Sequence, residues 1–171
     1  TKDYMTLQKY SGDGSKPVIL GNDSTTDFDN GTGTLEHYWT GLVDIRGQGI
    51  TIDGIEIAYA GHYPNDRPDK TDRPGHGIYA DGDSYDNITI TNCYIHHIGG
   101  HGIGIKYADN LTLTNNEIFE AHYGKLEKTR ATWGSAIMTS FDCDNVTISG
   151  NTIHGIGGEG LNLNRNGTGY T

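Results

Sequence analysis

The stretch NITITNCYI at 87–95 returns as NLTLTNNEI at 110–118 and as NVTISGNTI at 145–153, with an earlier variant, GITIDGIEI, at 49–57. Every copy sets a threonine (Thr51, Thr89, Thr112 or Thr147) before an aliphatic residue and ends on an isoleucine (Ile57, Ile95, Ile118 or Ile153). β-Branched residues alternating with polar ones have the two-residue period of a strand. A strand phrase that returns every few tens of residues marks a solenoid.

The intervals give the coil. Ile90 to Leu113 is 23 residues, Ile52 to Ile90 is 38, and Leu113 to Ile148 is 35. A bare coil is therefore 23 residues, and the longer two carry 15 and 12 more. Each coil holds a second phrase: GLVDI at 41–45, GIYAD at 77–81, GIGIK at 102–106, AIMTS at 136–140 and GLNLN at 160–164. Three interior ladders follow. One is Leu42, Ile78, Ile103, Ile137 and Leu161; the next is Ile52, Ile90, Leu113 and Ile148; the last is Ile57, Ile95, Ile118 and Ile153. Strands of successive coils then lie about 4.8 Å apart in parallel sheets, and the crossover rule for parallel strands makes the coil right-handed. The expected fold is all-β, a right-handed single-stranded parallel β-helix of about four to five coils, on the order of 20 Å long at that spacing. Asn116 and Asn151 share one turn position, and Asn92 and Asn115 the position before it. Stacked asparagines there satisfy turn backbone groups.

Composition agrees. The chain has 171 residues, enough for one domain over 1–171. Only 33% are hydrophobic and 26 are glycine, little for a compact globule but enough for coils that each bury a narrow interior row. With 12 basic and 22 acidic residues the net charge is −10, which disfavours nucleic acid and anionic membranes. No apolar run is long enough to insert in a membrane. Cys93 and Cys143 hold different repeat positions, so no disulfide joins them. Asn-x-Ser/Thr triplets stand at Asn22, Asn87, Asn110, Asn145 and Asn166; three fall at one coil position, where the repeat itself explains them.

These phrases, with the opening DYMTLQKYSGDGSKPVILG at 3–21, resemble the right-handed parallel β-helix repeats of the pectate-lyase-like superfamily. The opening looks like the segment that precedes the regular coils in secreted members. The resemblance covers nearly the whole chain and implies a secreted, extracellular or cell-surface carbohydrate-active protein. The superfamily holds lyases, hydrolases, epimerases and non-catalytic adhesins. In its lyases a Lys or Arg takes the proton next to a uronate carboxylate while Ca²⁺ or a cationic side chain neutralises that carboxylate.

The long insertions, 22–40, 61–75 and 124–134, all enter at one corner, before the second phrase. Loops so placed wall one face of the rod, and function lives on such loops. The expected groove carries Val43, Tyr79, Gly104, Met138 and Asn162 outward, with Asp81, Lys106, Ser140 and Asn164 at its edge. The column before it is Thr40, His76, His101, Ser135 and Glu159. His76 and His101 are candidate general bases or turn residues that bond the loops. Lys106 is the candidate lyase base, or one half of a cross-coil ion pair with Asp81. Arg73 and Arg130 are candidate carboxylate clamps, Arg130 among the catalytic candidates. Tyr79, Arg73, Trp133, Asn162 and Glu159 are candidate polysaccharide-binding residues. Asp81, Asp83 and Asp86, in DGDSYD, suit Ca²⁺ as hard oxygen ligands or serve as turn residues.

Superposing the last coil puts Thr171 on Thr147, so the chain stops within a strand, with no capping helix. A fragment of a longer protein and end-to-end self-association both account for this. Two functions stand: a polysaccharide lyase acting by β-elimination on acidic polysaccharide, and a non-catalytic structural or adhesive repeat protein.

Overall fold

The computed structural model describes residues 5–8, 16–20, 41–60, 75–83, 85–122, 134–164 and 167–171. They form five coils of three strands each. The first is β1 (Met5–Gln8), β2 (Val18–Leu20) and β3 (Gly41–Asp44); the second is β4 (Ile50–Asp53), β5 (Glu56–Ala58) and β6 (His76–Asp81). The third is β7 (Thr89–Thr91), β8 (Tyr94–Ile98) and β9 (Ile103–Lys106), and the fourth β10 (Leu111–Thr114), β11 (Glu117–Ala121) and β12 (Ser135–Ser140). The last is β13 (Val146–Ser149), β14 (Thr152–His154) and β15 (Glu159–Asn164). Corresponding strands pair in parallel, giving a first sheet β1-β4-β7-β10-β13, a second β2-β5-β8-β11-β14 and a third β3-β6-β9-β12-β15. The opening segment is thus a coil of its own, since Leu7 pairs with Ile52 and Ile19 with Ile57. It does not precede the coils, as the resemblance implied.

The isoleucine ladders stand in the registers that the repeat predicts. Ile52 pairs with Ile90, Ile90 with Leu113 and Leu113 with Ile148. Ile57, Ile95 and Ile118 stack likewise and are fully buried. Thr171 lies beside Thr147 with hydroxyls 3.2 Å apart. One register departs from expectation. Val43, not Leu42, pairs with Ile78, and Gly41, not Thr40, with His76. Burial is the reason: the expected register would turn Asp44 inward and Ile45 outward, whereas Ile45 is buried and Asp44 exposed.

The turns between first and second sheets hold the asparagine ladder. Asn92 and Asn115 take left-handed backbone (φ 55° each), as Gly54 and Gly150 do in the neighbouring coils. Asn116 Oδ1 accepts the Cys93 N–H at 3.0 Å, and Asn151 Oδ1 accepts the Asn116 N–H at 2.9 Å. Each side chain satisfies the backbone of the coil before it. Cys93 and Cys143 are buried free thiols.

The insertions fall between strands of the second and third sheets, at the one corner expected. Arg73, Arg130 and Trp133 lie on them, outside the described residues.

Candidate functional site

The third sheet is the face expected to bind and react. Its outward column runs Asp44, Tyr79, Gly104, Met138 and Asn162. This column is no open groove: Tyr79 is 1% and Met138 6% exposed, so β6 and β12 are buried on both faces. That corrects the expectation that Tyr79 meets a saccharide.

His76 and His101 stack on one another (ring centroids 4.9 Å), and His76 stacks on Tyr79 (4.5 Å). His76 Nδ1 accepts the His101 backbone N–H at 2.9 Å, and His101 Nδ1 accepts the Ser135 N–H at 3.0 Å. An Nδ1 that accepts puts the ring proton of the neutral tautomer on Nε2. Neither ring then offers a lone pair to a substrate. Burial, and next the neighbouring His101 ring, lowers the His76 pKa to about 3; burial, and next His122, lowers that of His101 to about 4. Both rings are buried and tie coil to coil through backbone N–H groups, an arrangement that differs from the candidate general bases and from solvent-tolerant turn residues alike.

Lys106 Nζ donates to Asp81 Oδ2 at 2.8 Å, and the Tyr79 hydroxyl donates to the same oxygen at 2.9 Å. Burial, and then the bond to Asp81, raises the Tyr79 pKa. The ammonium also lies 5.4 Å from the Tyr79 ring and 5.6 Å from that of Phe141. Lys106 and Asp81 thus form a cross-coil ion pair.

The calcium candidates do not converge. Asp81 is committed as described, Asp83 is exposed, and Asp86 Oδ1 accepts the Asp109 N–H at 3.0 Å. Asp109 and Asp144 do the same one coil further on, so Asp86 begins a turn ladder. Among the described residues no three His, Cys, Asp or Glu side chains come together as a metal site. Asn162 donates to Glu159 Oε2 on β15, where both candidate binding residues sit at the last coil.

The second sheet presents the open face, which the sequence reading passed over. One outward column is Glu56, Tyr94, Glu117 and Thr152, and the next Ala58, His96, Phe119 and His154. Histidine and glutamate pair throughout: His96 Nε2 with Glu56 Oε1 at 3.1 Å, His97 Nε2 with Glu120 Oε2 at 2.8 Å, and His154 Nε2 with Glu117 Oε1 at 3.1 Å. Glu117 and His154 are about half exposed (50% and 47%), whereas His96 lies deeper at 9%. Tyr94 packs on His96 (4.4 Å), Tyr59 on His97 (4.8 Å) and Phe119 on His154 (4.8 Å). Burial, and next the carboxylates of Glu117 and Glu56, raises the Tyr94 pKa. Tyr59, His97 and Glu120 share a left-handed column, φ 64°, 53° and 50°, which is costly for side chains of this size. In a regular strand His96 and His97 would face opposite sides; the left-handed turn at His97 brings both rings outside. Their sequence separations, 40 residues from Glu56 to His96 and 23 from His97 to Glu120, match no local motif. Only the coil register could have flagged them.

Among the described residues no helix is long and apolar enough to cross a membrane. No curated protein and no solved structure matches the chain. The family model described as "Right handed beta helix region" matches residues 18–170. With three parallel five-stranded sheets wound by five coils, the chain belongs to the right-handed beta helix family.

Proposed function

We propose that the protein is a secreted carbohydrate-binding β-helix, and that a saccharide lies along the open face of the second sheet. The observation that carries this is the column Glu56–Tyr94–Glu117. It sets a half-buried aromatic ring between two carboxylates, at steps of about 4.8 Å along the axis. The ring offers an apolar platform to the C–H face of a pyranose, and the carboxylates accept from its hydroxyls. Phe119 and Tyr59 extend the platform. Three glutamates on this face and a net charge of −10 favour a neutral saccharide over a uronate polymer. The extracellular setting is carried over from the resemblance in the repeat.

β-Elimination at Lys106 is the weaker reading, because that ammonium is tied to Asp81 and the face around it is closed. The adhesive or structural alternative is compatible with saccharide binding. Calorimetric titration with neutral, amino- and uronate oligosaccharides tests the proposal. Binding weakened about two- to tenfold by Tyr94→Ala, the worth of one aromatic contact, and unchanged by Lys106→Ala is expected. Release of unsaturated uronate that Lys106→Ala abolishes would overturn it.

A further inference from the structure

Four side chains on the second sheet form an unbroken chain across three strands. Glu56 Oε1 lies 3.1 Å from His96 Nε2, His96 Nδ1 lies 2.6 Å from His97 Nδ1, and His97 Nε2 lies 2.8 Å from Glu120 Oε2. The protons along it can be counted. A ring nitrogen bonded to an ionised carboxylate carries the hydrogen, which places one on each Nε2. Two Nδ1 atoms at 2.6 Å repel if both bear lone pairs and collide if both bear hydrogens. A single proton between them makes a short, charge-assisted bond. The pair then holds three protons, one more than two neutral imidazoles.

We infer that His96 and His97 share one proton and act as a pH-gated latch that ties β8 to β5 and β11 on the open face. The latch opens in two ways. Loss of the shared proton sets lone pair against lone pair, and gain of a fourth sets N–H against N–H. It is therefore closed only within a window of pH bounded on both sides. Opening in either direction frees the costly left-handed conformations of His97 and Glu120, which lie next to the corner where the insertions enter. Among the described residues, the surrounding charged and titratable groups are Lys16 ahead of β2, Tyr59 just after β5, Tyr94 on β8, Glu117 on β11 and His154 on β14.

The test is a ¹⁵N NMR titration of the histidine side chains of the full chain, read beside amide exchange. Within the window, two protonated Nε2 atoms and one proton averaged between the two Nδ1 atoms are expected. The Tyr59 amide, bonded to the His96 carbonyl, and the Gly99 amide, bonded to that of Ala60, report on the corner. Corrected for intrinsic rates, their exchange is slowest in the window. On either side it is faster by roughly tenfold to a hundredfold, the loss of one charge-assisted bond. His97→Asn, which tolerates the left-handed backbone, abolishes that minimum. Glu120→Gln moves loss of the shared proton to lower pH, because a negative charge that held it is gone. Two neutral rings with one proton each at every pH, or exchange without a minimum in the wild type, overturns the latch. So does stoichiometric uptake of Zn²⁺ that removes the shared-proton signal, since the two Nδ1 atoms would then be metal ligands.

Discussion

Replacing Asn116 with alanine tests what holds one coil to the next. The side chain is 1% exposed. Its Oδ1 accepts the Cys93 N–H at 3.0 Å, and its Nδ2 donates to the Ile90 carbonyl at 3.0 Å and to Asn151 Oδ1 at 3.1 Å. Truncation leaves the Cys93 N–H, a buried backbone group, without its bond; the Ile90 carbonyl loses one donor but stays in the parallel ladder with β10. A buried polar group so abandoned costs about 1–3 kcal/mol. The third bond adds little, because Asn151 Oδ1 still accepts the Asn116 N–H. Such a loss is a large share of the about 5–15 kcal/mol that keeps a domain folded. Urea unfolding measures it, provided that the slope m is unchanged, with exchange at the Cys93 amide as the local readout. Thr91→Ala is the control: it removes a hydroxyl pair with Thr114 at 3.1 Å on the solvent side, which costs about 1 kcal/mol or less. If Asn116→Ala costs no more than this control and the Cys93 amide stays protected, the asparagine is not what satisfies that backbone.

Two further outcomes are expected. The folded chain takes protons on His76 and His101 only near pH 3 and 4, whereas the unfolded chain takes them near the ordinary value of about 6.5. The unfolded state thus binds more protons in between, and stability, complete above that ordinary value, falls as pH drops through the interval. The double variant His76→Gln/His101→Gln shows a shallower fall by calorimetry, and equal slopes in the two proteins refute the assignment. Gly102→Ala places a Cβ 2.7 Å from the Ala136 carbonyl oxygen and 2.8 Å from Ile118 Cγ2. The crowding destabilises by about 1–3 kcal/mol, read as a lower thermal midpoint, and an unchanged midpoint refutes it.

Much of this architecture is legible residue by residue. Ile90 and Leu113, 23 residues apart, had to stack, because a two-residue period fixes which side chains face in and a constant interval fixes who lies above whom. The same arithmetic set Asn116 over Asn151, brought Lys106 to Asp81 and put Thr171 beside Thr147. It failed where local phrasing and burial disagreed. GLVDI looks like GIYAD, yet Ile45 needed the interior more than Leu42 did, and the first coil slid by one residue. The candidate site was less legible. His76 and His101 were placed in the correct column, but whether that column is open or covered depends on what packs over it, which periodicity does not encode.

By itself the sequence determined the solenoid, its coil length, its isoleucine and asparagine ladders and the corner that carries the insertions, because each is written several times over at a fixed interval. Only the tertiary structure decided which face is closed and which open, and that Glu56, His96, His97 and Glu120 meet. Those four residues come from three coils and depend on left-handed backbone at His97 and Glu120. Such a conformation leaves no periodic trace and becomes visible only once the strands are in register.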